Sequence, residues 1–271
     1  MTQSPWQSQP EPTPHAQPEA QAQPLAFSRQ ELLIHTIAGL LEGCRIVATG
    51  ASSPIPGAGA LLARARSGGT LRVNLLGSQR HNFFCNGGVE LFDLAAQGRL
   101  DAFFLGGGQI DGHANVNLVG TGCDYPAHRV RWPGSFGSGQ LYHLVPRVIL
   151  FREEHSRRVL VPQVDFISAA GPTNDGTYRP GGPIGLLTNR CWFRFDRRRL
   201  RFHLASVHPG HTVEEVRDET GFNFDLPAHV PETPSPDEAT LALLRGRIAS
   251  ELAETYPRFV AQVFGMHAPS G

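Results

Sequence analysis

The 271-residue chain is 40% apolar, enough to bury the core of one large domain or two small ones, and its 24 basic residues balance 24 acidic ones, so no net field draws in nucleic acid or an anionic membrane. All 24 basic residues are arginine, which excludes a Schiff-base lysine, a lysine general base and the lysine of a G-x-x-x-x-G-K-[ST] phosphate loop. Cys44, Cys85, Cys123 and Cys191 form no C-x-x-C pair, and no apolar run suits a bilayer span or a signal peptide, so a reduced, cytoplasmic protein is expected.

Residues 1–27 are rich in Pro, Gln, Glu and Ala and poor in branched apolar side chains. Such a segment cannot offset the entropy of ordering, which predicts a disordered tail ahead of a single domain at 28–271. Ser28-Arg29-Gln30-Glu31 has the capping-box form and predicts a helix through Leu32-Leu33-Ile34 to Leu40-Leu41, stopped at Gly43. A strand at 45–49, a Gly/Ser/Pro loop with a short Ala/Leu helix, and a strand at 71–76 follow. Gly88 and Gly98 frame a helix carrying Val89, Leu91, Phe92 and Ala95, which feeds a buried strand ending at Leu105. This alternation predicts an α/β fold with an open, mostly parallel sheet flanked by helices.

From Arg147 the pattern becomes strand-rich, with strands expected at 147–152, 159–168, 190–195 and 201–207. Arg197-Arg198-Arg199 reads as a solvated hairpin tip rather than an anion site. A helix is expected over 213–219, and Ser235-Pro236-Asp237-Glu238 opens another that runs to about Tyr256.

Three glycine-rich loops, at 50–59, 106–112 and 134–139, fall where strand ends are expected. Open α/β sheets bind ligands beyond the carboxyl ends of their strands, and successive bare N–H groups make a donor nest for an anion or a developing oxyanion. The chain contains neither G-x-G-x-x-G nor a G-x-S-x-G elbow, which disfavours a dinucleotide enzyme and an ordinary serine hydrolase. His208-Pro209-Gly210-His211 has Pro-Gly where a helix would have to run, and no H-E-x-x-H or Cys/His cluster is present, so no metal site is expected. Near the central loop, Asp111 either ties the backbone together or acts as an acid or base, and Glu90 either shares that role or favours its helix dipole.

The stretch VELFDLAAQGRLDAFFLGGGQIDGHANVN resembles the form LEVFDLLQxGxIDxxFLGGAQIDRYGNLN of family I CoA-transferase β subunits, glutaconate type. The likeness continues in ATGASSPIPGAGALLARA, in RWPGSFGSG, where the family has P-G-S-G-G, and in RVILFREEHSRRVLVPQVDFISAAG. It covers residues 45–171 and, more weakly, 206–224. The resemblance implies that family's open α/β fold, an α-subunit partner supplying half of the site, and an acyl-CoA thioester, with coenzyme A part of the substrate and no resident cofactor. It implies that Gly106 to Gln109 approach the thioester, with Gly107, Gly108 and Gln109 as the catalytic oxyanion loop. Gly50, Ser52, Ser78, Gln79, Asp111, Asn115, Ser135, Gly137 and Ser138 are the implied substrate-binding residues.

Two departures shape the expected chemistry. Family transferases carry a Glu nucleophile in an E-S/N-G motif after the strand matching 71–76, and this chain has Gly77-Ser78-Gln79 there. The Ala-Asn-Asp that follows P-G-S-G-G is replaced by Ser138-Gly139-Gln140. A branch of two-subunit hydrolases that opens the last steroid rings also lacks that Glu, takes its catalytic carboxylate from the α subunit, and has a segment VSLHPGVTPGDVRDATSF similar to residues 206–222. The resemblance therefore implies hydrolytic or ring-opening chemistry at an acyl-CoA, with transfer between carboxylic acids and a non-catalytic CoA-binding subunit as the alternatives.

Overall fold

The computed structural model describes residues 26–122 and 125–266. The expected tail therefore lies outside the described residues, apart from Ala26 and Phe27. Helix α1 (Arg29–Leu40) starts at the expected box, with Ser28 Oγ accepting from Glu31 N and Glu31 accepting from Ser28 N. It is followed by β1 (Ile46–Thr49), α2 (Pro54–Arg66), β2 (Arg72–Leu75), α3 (Gly87–Ala96) and β3 (Ala102–Leu105). The loop before α2 is shorter than the 50–59 glycine pattern implied, because Pro54 stands at the first helical position with its φ already set. Gly59 is inside the helix, where a Cβ would overlap the Ile37 side chain, so it sets how closely α1 and α2 approach.

Two short ribbons come next, β4 (Gln109–Ile110) with β5 (Val116–Asn117) and β6 (Gly120–Thr121) with β7 (Val130–Arg131). Helix α4 (Ser138–Leu144) leads into β8 (Arg147–Phe151), β9 (Pro183–Leu187), β10 (Cys191–Asp196) and β11 (Arg201–Val207). The main sheet has the order β11-β10-β9-β8-β3-β1-β2, with parallel pairing from β9 through β2 and an antiparallel extension by β10 and β11.

Residues 159–168 form no strand of this sheet. They make isolated bridges to the small ribbon, Ile110 with Leu160 and Val116 with Ala169, and Pro162 has no N–H with which to continue a ladder. Strand β9, absent from the sequence expectation because PIGLL offers only five residues containing Pro and Gly, takes the place beside β8 instead. The arginine run does form the β10–β11 turn, but it is tied down. Asp196 Oδ1 accepts from Arg198 N and Arg199 N, Arg197 donates to the Arg179 and Gly181 carbonyls, and Arg199 pairs with Asp225.

Adjacent strand residues face opposite layers, as the two-residue period of a strand requires. Val47, Phe104 and Ile149 pack with α1 and α2 against Leu244, Ile248 and Leu252 of the C-terminal helices. Ala48, Phe103, Val148 and Leu150 pack with Leu91 of α3 and Leu141 and Tyr142 of α4, continuous with Phe193, Phe202 and Leu204. The C-terminal third returns to helices. These are α5 (Val213–Glu219), α6 (Glu238–Leu243), a π-helical turn at Leu244–Ile248, α7 (Ala249–Ala253) and α8 (Pro257–Phe264). The cap of α6 is Asp237, two residues later than Ser235, because its side chain accepts from Thr240 N. No helix among the described residues is long and apolar enough to cross a membrane.

Candidate functional site

The chain leaves β1 through α2 to reach the edge strand β2, then returns through α3 on the opposite face to β3 on the other side of β1. That reversal makes the carboxyl ends of β1 and β3 a topological switch point, where an open sheet leaves a crevice. A cavity of about 800 Å³ lies there, lined from β1 and β3 by Gly50, Ala51 and residues 103–108, and from the far side by Trp132, Ser135, Phe136 and Ser138. A second cavity, of about 670 Å³, adjoins it across Gly106 and Arg152 and is lined by Ser52, Ser53, Glu153, Glu154 and Asn189.

Gly106 N–H and Gly107 N–H have no hydrogen-bond partner among the described residues. Both residues belong to the lining of the larger cavity. Gly108 differs, since its N–H donates to Asn117 O at 2.9 Å and its Cα is covered by the Trp132 ring, which any Cβ there would overlap. The Gln109 side chain points away from the crevice, accepting at Oε1 from Asn117 Nδ2 (2.8 Å) and Asp165 N (3.0 Å). Of the residues the resemblance implied, then, Gly107 and its neighbour Gly106 have N–H groups without a partner among the described residues, whereas Gly108 and Gln109 are committed to the ribbon.

The polar residues after the glycines build the platform beneath them. Asp111 accepts at Oδ1 from His113 N and Asn115 N and at Oδ2 from Asn115 Nδ2, while Asn115 Oδ1 accepts from Gly171 N. Asn117 closes its own turn by accepting from Val119 N and donating to Gly120 O. Of the two roles open to Asp111, backbone tie is the one its contacts fill. Glu90 lies far from this platform, accepting from Cys85 N at the start of α3.

The implied substrate-binding residues divide by position. Gly50, Ser135 and Ser138 line the larger cavity and Ser52 the smaller, whereas Gly137 lies behind the wall, where a Cβ would overlap the Phe92 ring. Ser138 Oγ is buried and without a partner among the described residues. Ser78 and Gln79 are held by Glu254, whose carboxylate accepts from Ser78 Oγ (2.7 Å) and Gln79 N (2.8 Å). Partial burial raises the Glu254 carboxyl, but these hydrogen bonds outweigh it and hold the group below the usual carboxylate range. Gly77 has φ +92°, so the position after β2 is a turn built for glycine.

Arg152, at the end of β8, lines both cavities, and its Nε is buried without a partner among the described residues. The strand-end rule that singled out the glycine loops applies equally to this residue and would have found it. Trp132 carried no such signal, and the 134–139 loop that holds Phe136 follows the two-residue strand β7 of a small ribbon and not, as expected, a strand of the main sheet.

His208 and His211 do not converge on an ion. His208 bonds Thr233 and the Thr188 carbonyl, His211 bonds Glu215, and no group of three His, Cys, Asp or Glu among the described residues is arranged to hold a metal.

Residues 33–219, which include every strand of the main sheet and both cavities, match the Coenzyme A transferase family. The chain belongs to that family. It is 33% identical over 163 residues, 58% of its length, to one subunit of the 3-oxoadipate CoA-transferase of Pseudomonas knackmussii. It is 28% identical over 173 residues to the Cholesterol ring-cleaving hydrolase IpdB subunit of Rhodococcus jostii. Each alignment spans 62% of the relative's own length. The fold is that of the glutaconate coenzyme A-transferase of Acidaminococcus fermentans, with a TM-score of 0.74 over 85% of this chain and 98% of that one at 23% identity. An open, mostly parallel α/β sheet, expected from the alternation of elements, is the architecture the two share.

Proposed function

We propose that this chain is the β subunit of a two-chain enzyme acting on an acyl-CoA thioester, and that it polarises the thioester carbonyl with the N–H groups of Gly106 and Gly107. The observation that carries the reading is the pair of free amides on the floor of an 800 Å³ crevice at the switch point of a CoA-transferase-family sheet. Preorganised backbone donors in a site walled from water stabilise a developing oxyanion without reorganising. The α-type partner closes the crevice over the substrate, in keeping with large apolar side chains left exposed near its mouth, Val89 and Phe136 among them.

The chemistry is hydrolytic or ring-opening rather than transfer through a covalent anhydride on this chain. Gly77 stands where the family pattern has its Glu, and the adjoining Ser78 and Gln79 are capped by Glu254. A relative whose name describes a ring-cleaving hydrolase subunit supports the same direction, and makes bulky acyl-CoA thioesters that still carry a steroid-derived ring the substrates to test first. In this reading water is added across the cleaved bond, its hydroxyl going to the carbonyl carbon and its proton to the leaving group, the CoA thiolate in thioester hydrolysis or the ring carbon in ring opening, and no second acid takes part.

The test is to purify the chain with its co-expressed α-type subunit, supply acyl-CoA, and follow free CoA, the mass gain of one water on the acyl-CoA, and covalent labelling under borohydride or hydroxylamine. The expected outcome is turnover that needs no acceptor acid and leaves this chain unlabelled. An acyl or CoA adduct on this chain, or turnover only with a second carboxylic acid, returns the protein to the transferases.

A further inference from the structure

Phe136 is 84% exposed and has φ +48°, in the left-handed region that bulky side chains avoid. An exposed aromatic gains little from burial, and this backbone costs energy, so packing within the chain does not account for it. The P-G-S-G-G pattern has glycine at this position, and the backbone here is still a glycine's. The ring leans on α3, 5.8 Å centroid to centroid from Phe92, and a Cβ on Gly88 would come within 3.3 Å of it. Its exposed face meets the larger cavity, whose wall continues through Leu91, Leu118, Trp132 and Leu141. The charged residues in that lining, Arg152 and Arg158, lie at its edge and both pair with Glu154, so any preference for a bulky acyl group has to come from the apolar wall.

We infer that Phe136 is a specificity-determining residue that extends the apolar wall over the acyl group, so that the site takes a bulky alicyclic or aromatic acyl-CoA in preference to a short dicarboxylic one. This rests on the acyl-CoA reading above. Burying one face of a ring on an aromatic wall is worth a selectivity of about tenfold or more. The strained backbone is retained because glycine at this position would leave the wall open.

The experiment measures calorimetric binding of coenzyme A and of the non-hydrolysable thioether analogues of cyclohexanecarbonyl-CoA and glutaryl-CoA to the complex of this chain with its co-expressed α-type subunit, with this chain as wild type, Phe136→Gly and Phe136→Trp. Wild type is expected to favour the alicyclic ligand at least tenfold, Phe136→Gly to lose that preference, and Phe136→Trp to retain it. Phe136→Gly is also expected to melt about 2–4 °C higher, since glycine relieves the left-handed backbone. If the glycine variant keeps the preference, or melts lower because the ring was a packing element, the inference fails while the acyl-CoA reading stands. If none of the three ligands binds, both fall together.

Discussion

Gly107 and Gly108 are neighbours with opposite duties. Gly107 N–H has no partner among the described residues, and a Cβ there would sit 2.6 Å from Val116 Cγ1 and 2.9 Å from Gln109 O. Gly107→Ala must therefore rotate or displace the amide, and a loss of about 10²–10³ in turnover is expected, against a stability change of about 1–3 kcal/mol. Steady-state kinetics of the two-chain complex beside chemical denaturation separates the two. Gly108→Ala collides with Trp132 instead, so its cost belongs to packing, and Trp132→Ala in the same chain is expected to recover part of it in a double-mutant cycle. Asp111 is 2% exposed and accepts several hydrogen bonds, so Asp111→Ala leaves buried donors without partners and is expected to cost about 3 kcal/mol in urea unfolding. The sequence singled these residues out as one stretch. It could not say which amide was free, because that depends on Asn117 folding back to accept from Gly108 N and on Trp132 from beside a separate ribbon.

At the scale of elements, two buried histidines hold the β9–β10 hairpin to its neighbours. His155 Nε2 meets Thr220 Oγ1 (3.0 Å), whose own proton goes to Val216 O, so Nε2 carries the hydrogen and Nδ1 accepts from Thr188 Oγ1 (2.8 Å). His208 Nε2 donates to Thr188 O and Nδ1 faces Thr233 Oγ1. Burial pushes each imidazole down to about 4, with Arg190 adding to the shift at His155. Between pH 6.5 and 4 the unfolded chain binds protons that the folded chain refuses, so stability is full above pH 6.5 and falls as pH drops through that window. The shifts correspond to about 3 kcal/mol for each histidine. Urea midpoints are expected to fall steeply from about pH 6.5 to 4, with a smaller fall for His208→Gln. A flat profile would mean that water reaches these rings. The capping box at Ser28 was readable from four residues, whereas β9 was not, since its five residues become a strand only beside β8.

Across the whole molecule, the C-terminal helices reach back to the rim of the crevice. Tyr256 Oη donates to Gly50 O (3.2 Å) and accepts from Ser53 N (3.4 Å), fixing the loop that follows β1, while Glu254 fixes the turn that follows β2. Arg245 pairs with Glu31 and Arg64 with Glu251, joining the same helices to α1 and α2. Tyr256→Phe is expected to cost about 1 kcal/mol and to speed amide exchange at Ser53 more than in the β8–β11 half. Uniform protection in the variant would show the tyrosine to be a bystander.

The sequence by itself determined the layer architecture, the glycine-bearing strand end and the lack of a carboxylate at position 77. Strand and helix periods, turn glycines and caps are local, and a missing side chain needs no neighbours to be missing. Only the tertiary structure decided which amides stay free, that Glu254 occupies the turn beside Gly77, and that Phe136 faces the cavity. Each of those is a contact between segments far apart in the chain, set by how the two sides of a crevice close on one another and not by any pattern along either.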